Sequence, residues 1–278
     1  MSLKLTVICD NYVEKPGFLA EHGFSLLIET KSKTILFDTG QGLTIQHNAR
    51  KLNINPGSVD CIVLSHGHYD HTGGLTKILN HQHLPVIYAH PDALQAKYKK
   101  LETEKMEYIG FPDDLKNESK LNIVFSSSPT QIAENMVLTG QIPRETFFEH
   151  IEEEFYKKSK DRWIKDEVLD DQALIIDGGS GLVAVLGCTH SGIINTLKYA
   201  RQITGKKNFV LVIGGTHLKG ASEKKISLIA SELQDLNIKK IVLYHCSGIL
   251  TFTRLARILG EDKVFLGKVG DVWEIPEK

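Results

Sequence analysis

The chain carries no surplus of either charge. Across 278 residues, 33 lysines and arginines face 34 aspartates and glutamates, a formal net charge of -1. No basic field exists to hold a long nucleic acid, although a local phosphate pocket needs only a few residues. Cysteine is scarce. Cys9, Cys61, Cys188 and Cys246 lie far apart without a Cys-x-x-Cys pair. That argues against a disulfide frame and fits reduced thiols in a cytoplasmic protein. No apolar run approaches the length of a membrane span. Met1 to Asp10 lacks the charged-then-apolar pattern of a secretion signal. There is no internal repeat and no low-complexity tract. The expectation is a cytoplasmic protein with neither membrane nor nucleic-acid partner. Its length allows one large α/β domain, or one domain with a substantial insertion.

What the chain does have is concentrated at Ser65-His66-Gly67-His68-Tyr69-Asp70-His71-Thr72-Gly73-Gly74. Three imidazoles and a carboxylate fall within six residues, directly after the apolar run Cys61-Ile62-Val63-Leu64. Such a run reads as a buried strand, so the cluster sits where a strand ends. Neutral imidazole and carboxylate suit zinc, iron or manganese. His66 and His68 alternate and can point to one side of an extended turn, while Asp70 and His71 can face a second centre. A histidine-rich surface loop is the bland alternative, and chance rarely places four ligands so close behind a strand.

The remaining pattern is α/β. Strands are expected at Leu3–Cys9, Phe24–Glu29, Thr34–Phe37 and Pro85–Ala89, with a helix at Leu43–Leu52 ended by Asn53, Asn55, Pro56 and Gly57. From about 92 to 165 the composition turns charged and aromatic. This segment reads as an inserted, partly helical piece with a strand or two around Leu121–Phe125 and Met136–Thr139, its charge runs being solvated faces or, more sharply, a lid. Regular alternation resumes at Ala173. Strands end at Gly187-Cys188-Thr189-His190, at Gly214-Gly215-Thr216-His217 and at Tyr244-His245-Cys246. Asp38, His66, His190, His217 and His245 thus all follow apolar strands, the place where layered α/β folds form ligand sites. His22, His47, His81, His83, His90 and His150 lack that context and read as surface or structural residues, although His22 is set apart by its place between Glu21 and Gly23. Cys188 and Cys246 read as small buried hydrophobes, although each lies within two residues of a histidine.

The His66-x-His68-x-Asp70-His71 cluster, with Asp38-Thr39-Gly40 upstream and single strand-end histidines downstream, resembles the metallo-β-lactamase superfamily. The resemblance implies an αββα sandwich, two packed mixed β-sheets with outer helices. It implies a first metal on His66, His68 and His190 and a second on Asp70, His71 and His245, with Asp38 orienting ligands rather than touching metal. The metal would be zinc first, one or two ions, with iron or manganese as alternatives. Dinuclear members usually carry a bridging aspartate after the third histidine. Here that strand ends in Gly214-Gly215-Thr216-His217, so His217 either becomes a ligand or binds substrate. The Glu21-His22-Gly23, Cys188-Thr189-His190 and His245-Cys246-Ser247-Gly248 patterns resemble the branch of dihydropterin–ribofuranosyl-aminobenzene phosphate synthases.

Three functions follow. The first is a hydrolase acting on a small ester or phosphoester through a metal-bound hydroxide. Asp70 would take a proton from the attacking water, and His217 is the other candidate catalytic residue. The second is the pterin-linked transferase that the branch implies, of a methanopterin-type pathway. The third is a metal-binding module without turnover. In either enzyme the partner is a small molecule, phosphorylated in some readings, met by His22, Lys219 and Arg144, with Arg162 as a further cation.

Overall fold

The computed structural model describes residues 3–79, 84–116, 121–149, 153–159 and 162–276. His81, His83 and His150 lie outside the described residues. In chain order the first part comprises β1 (Leu3–Cys9), β2 (Ser25–Glu29), β3 (Thr34–Phe37), α1 (Ile45–Lys51), β4 (Cys61–Val63), α2 (Tyr69–Thr72), α3 (Leu75–Ile78) and β5 (Val86–Ala89). The middle comprises β6 (Lys97–Lys100), β7 (Met106–Tyr108), α4 (Asp113–Lys116), β8 (Ile123–Phe125), β9 (Thr130–Ala133), β10 (Met136–Leu138), β11 (Phe155–Ser159) and β12 (Arg162–Lys165). The last part comprises β13 (Leu174–Asp177), β14 (Leu182–Leu186), α5 (Ile193–Thr204), β15 (Phe209–Gly214), α6 (Glu223–Asp235), β16 (Ile241–Leu243), α7 (Ile249–Leu259), β17 (Val264–Leu266) and β18 (Val272–Ile275).

Two seven-stranded sheets form the sandwich, in the orders β18-β1-β2-β3-β4-β5-β8 and β17-β16-β15-β14-β13-β10-β9. Both are mixed: β3, β4, β5 and β8 run parallel, as do β14 to β17, and the remaining pairs are antiparallel. Period-2 alternation sends side chains to two different cores. Ile35, Phe37, Cys61 and Val63 meet Val183, Val185, Leu211 and Ile213 between the sheets. The intervening Leu36 and Ile62 face outward under Ile45, Ala49 and Leu75 of the helices. On the other side Leu182, Ala184 and Leu186 face Ile193, Leu197, Ile226, Ile229 and Leu255. Each such large apolar side chain contributes about 1.5–3 kcal/mol on full burial. The chain is therefore the expected αββα sandwich.

The 92–165 segment contains more strand than its composition suggests. β8 extends the first sheet, while β9 and β10 extend the second. The strands expected around Leu121–Phe125 and Met136–Thr139 form, as Ile123–Phe125 and Met136–Leu138, and Thr130–Ala133 adds one outside that expectation. β6, β7, β11 and β12 form a separate four-stranded sheet. Its β6 carries Lys97, which is fully buried and bonds Asp166 at 2.9 Å and Asp170 at 2.7 Å. Asp170 in turn accepts the Gly67 N–H at 2.7 Å. The small sheet is thus tied to the histidine cluster through one buried carboxylate.

Candidate metal centre

The loops after β3, β4, β14, β15 and β16 converge at one end of the sandwich, and each delivers part of the site. Several of these loop residues adopt left-handed backbone without being glycine: Asp38 (φ 54°), Thr189 (φ 54°), His217 (φ 49°) and His245 (φ 50°). Such conformations cost free energy and gather at functional sites.

His66, His68 and His190 form one group, their donor atoms within 4.8 Å of one another. His66 Nε2 and His68 Nδ1 lie 3.0 Å apart. Asp70 and His245 form another group with His22. His245 Nε2 lies 3.3 Å from Asp70 Oδ2 and 3.3 Å from His71 Nε2. His22 Nε2 lies 3.1 Å from Asp70 Oδ2. His217 stands beside the first group, its ring centroid 4.3 Å from that of His190.

The surrounding hydrogen bonds fix which ring nitrogens face inward. Ser65 donates its hydroxyl to Asp38 Oδ2 at 2.6 Å, so toward His66 Nδ1, at 2.9 Å, it acts as acceptor. His66 therefore carries its proton on Nδ1 and presents the Nε2 lone pair. His71 Nδ1 lies 2.6 Å from the same Asp38 oxygen, which leaves Nε2 facing the site. His245 Nδ1 meets Asn11 Oδ1 at 2.8 Å, while the His245 N–H donates to Asp10 Oδ1 at 2.7 Å. Inward lone pairs at these spacings suit a cation. Tetrahedral zinc with bond lengths of about 2.0–2.1 Å sets its nitrogen ligands about 3.3 Å apart. The donor set fits a divalent transition metal, with oxygen and nitrogen at one group and nitrogen at the other.

The electrostatics agree. Burial, reinforced by neighbouring imidazoles, holds His66 and His68 well below the usual histidine range and so keeps them neutral. Burial alone would raise Asp70, but His71, His22 and His245 hold it well below the usual carboxylate range. Burial opposes charge on His71 too, yet Asp38 and Asp70 lift it to about 9. An imidazolium there competes with a metal ion for the same place.

A cavity of about 380 Å³ opens beside these groups. His68, Asp70, His190, His217 and His245 line its floor, with His22, Tyr69, Lys99, Glu154, Phe155 and Lys219 around them. Phe155, from the small sheet, packs on the rings of His68, His190 and His217. The sheet therefore roofs the site.

Arg144 does not line this cavity. Its guanidinium bonds the carbonyl oxygens of Glu167 and Val168, at 2.5 and 3.2 Å, and Ser191 Oγ at 3.4 Å. Arg162 is exposed on β12. His47 lies 2.8 Å from the Gly17 carbonyl, and His90 Nδ1 accepts the Asp92 N–H to start a turn. Sequence reasoning missed Ser65, Asp10, Asn11, Phe155 and Lys99. Asp10 and Asn11 directly follow the strand β1, the same signal that singled out the histidines.

A metallo-beta-lactamase superfamily profile matches residues 20–201. The chain belongs to the metallo-beta-lactamase superfamily. It is 35% identical over 272 residues to an uncharacterized protein of Methanocaldococcus jannaschii, covering 96% of this chain and 98% of that one. It is 34% identical over 284 aligned positions, 96% of both chains, to the 7,8-dihydropterin-6-methyl-4-(beta-D-ribofuranosyl)-aminobenzene-5'-phosphate synthase of the same organism. Among solved structures, Tm1679, a metal-dependent hydrolase of the beta-lactamase superfamily, superposes with a TM-score of 0.86 at 28% identity, covering 99% of this chain and 100% of that one. His66, His68, Asp70 and His71 lie in the loop and short helix that follow β4, an inner strand of the first sheet. No helix among the described residues is long and apolar enough to cross a membrane.

Proposed function

We propose that this superfamily member is a metal-dependent hydrolase of a small ester or phosphoester. The observation that carries the reading is the cavity of about 380 Å³ whose floor is the histidine–carboxylate cluster and whose wall carries Lys99 and Lys219. His66, His68 and His190 would hold one divalent transition metal, zinc first, and Asp70, His71 and His245 a second. Bound there, the metal polarises an ester or phosphoryl oxygen and lowers the pKa of water.

The chain's own residues supply the rest. Asp38 and Ser65 keep the ligand imidazoles in one tautomer. Asp70 Oδ2, oriented by His22 from 3.1 Å, accepts a hydrogen bond from the attacking water. His217 lines the cavity floor beside His190, where it gives a proton to the leaving group. Lys99 pairs with Glu154 at 3.2 Å, both half-exposed, so the pair is weak enough to release the cation to a phosphate. Phe155 excludes water above the histidines.

A second reading is a pterin-linked synthase, favoured by the 34% identity to the Methanocaldococcus jannaschii synthase across 96% of both chains. The test is a substrate panel with metal-reconstituted protein, spanning phosphodiesters, thioesters, lactones and dihydropterin pyrophosphate. Hydrolysis of an ester or phosphoester, lost on His217→Ala, is expected. Consumption of dihydropterin pyrophosphate with an arylamine, and no hydrolysis, would replace the first reading by the second.

A further inference from the structure

We infer that the Cys188 thiolate is a metal ligand shared between the two donor groups. This rests on the metal-centre reading above and adds a sulfur to it. The backbone puts Cys188 there by close packing. Gly187 passes so near the metal loop that a Cβ on it would stand 2.1 Å from Ser65 Oγ and 2.4 Å from Ser65 Cβ. Only glycine fits, and the next residue is pressed against the histidines.

Cys188 Sγ lies 3.1 Å from His71 Nε2. It belongs to two clusters of mutually close donor atoms, one with His66 and His71, the other with His245 and Cys246, all within 4.8 Å. His66 is part of the first histidine group and His245 part of the second. The sulfur therefore sits between them. Zinc–sulfur bonds of about 2.3 Å and zinc–nitrogen bonds of about 2.0–2.1 Å set tetrahedral sulfur and nitrogen ligands about 3.5 Å apart. The 3.1 Å separation is close to that spacing. Packing alone explains the place less well, because a small hydrophobe is not expected against three imidazoles.

Cys246 is the neighbouring sulfur, and its position differs. It accepts the His217 N–H at 3.2 Å. That backbone bond gives it a structural task. Cys188 is accordingly assigned as the ligand and Cys246 as the control. A thiolate ligand also selects among metals, favouring zinc or iron over manganese.

The test loads the metal-free full-length protein with cobalt(II) and reads the sulfur-to-cobalt charge-transfer band in the near ultraviolet. Wild type is expected to show the band. Cys188→Ser is expected to bind cobalt through its histidines but lose the band, while Cys246→Ser keeps it. An unchanged band in Cys188→Ser, or loss of the band in Cys246→Ser alone, overturns the assignment. X-ray absorption of the zinc-loaded wild type gives an answer that needs no variant: a sulfur shell at about 2.3 Å supports the ligand, and a shell of nitrogen and oxygen only overturns it. Cobalt bound without any sulfur signal rejects Cys188 and leaves the metal centre standing. Failure to bind cobalt or zinc at all rejects the metal-centre reading itself.

Discussion

The Asp38 carboxylate lies 2.6 Å from His71 Nδ1. The same oxygen accepts the Ser65 hydroxyl, which holds the His66 ring. One buried carboxylate thus sets two imidazoles. Asp38→Asn keeps the shape, and asparagine tolerates the left-handed backbone at φ 54°. An amide offers a single oxygen and no charge, so both rings lose part of their orientation. Metal affinity should fall by about 10–100-fold, read by competition with a chromogenic chelator. Unchanged affinity would remove Asp38 from the ligand-orienting role.

Lys97 predicts a stability effect behind the histidine cluster. Its ammonium is buried between Asp166 and Asp170. Lys97→Met would leave Asp170 without its cation and Asp166 with only Lys157, 3.6 Å away. Removing one partner of a buried ion group costs about 3–5 kcal/mol. The loss should appear as a lower denaturant midpoint with an unchanged slope. Because Asp170 also holds the Gly67 N–H, metal content should fall in the same variant.

The same triad sets an acid limit. Burial would raise Asp170, but Lys97 outweighs it and brings the carboxyl down to about 2. A depressed carboxylate stabilises the fold above its unfolded pKa of about 3.9 and loses that contribution as pH falls toward 2. The integrated effect is about 2.6 kcal/mol. Unfolding free energy should therefore decline between about pH 4 and pH 2, and the decline should shrink in Asp170→Asn. An equal decline in that variant would place the acid limit elsewhere.

Much of this architecture is legible in the sequence because the strands are short and strictly apolar. Cys61–Val63 and Leu182–Leu186 alternate between two cores, and each strand is followed within four residues by a histidine of the cluster. The histidines announce themselves by that position. Their orienting partners do not. Ser65, Asn11 and Asp170 act across separations of 1 to 234 residues, and a hydrogen bond such as Asn11–His245 leaves no spacing pattern in the chain. The small sheet is obscure for a related reason. Three of its four strands are charged on both faces, as in Arg162–Lys165, so no apolar periodicity marks them. Arg144 shows the converse limit. A cation near the site in sequence terms is spent on backbone carbonyls in space.

Gly187 gives the most local prediction. Its φ is not in the left-handed region, so alanine would suit the backbone and any cost is steric. The added Cβ would meet Ser65 Oγ at 2.1 Å and Ser65 Cβ at 2.4 Å. Ser65 cannot retreat without releasing Asp38 and His66. Overpacking of this kind costs about 1–3 kcal/mol, measurable by denaturant unfolding. Ser65→Ala removes the nearer atom but leaves the Cβ, so the double variant should recover only part of the stability. Metal affinity should drop in Gly187→Ala and stay low in the double variant, since the Ser65 hydroxyl is gone. Full recovery of both quantities would show that the hydroxyl serves only as packing, and that Asp38 does not act on His66 through it.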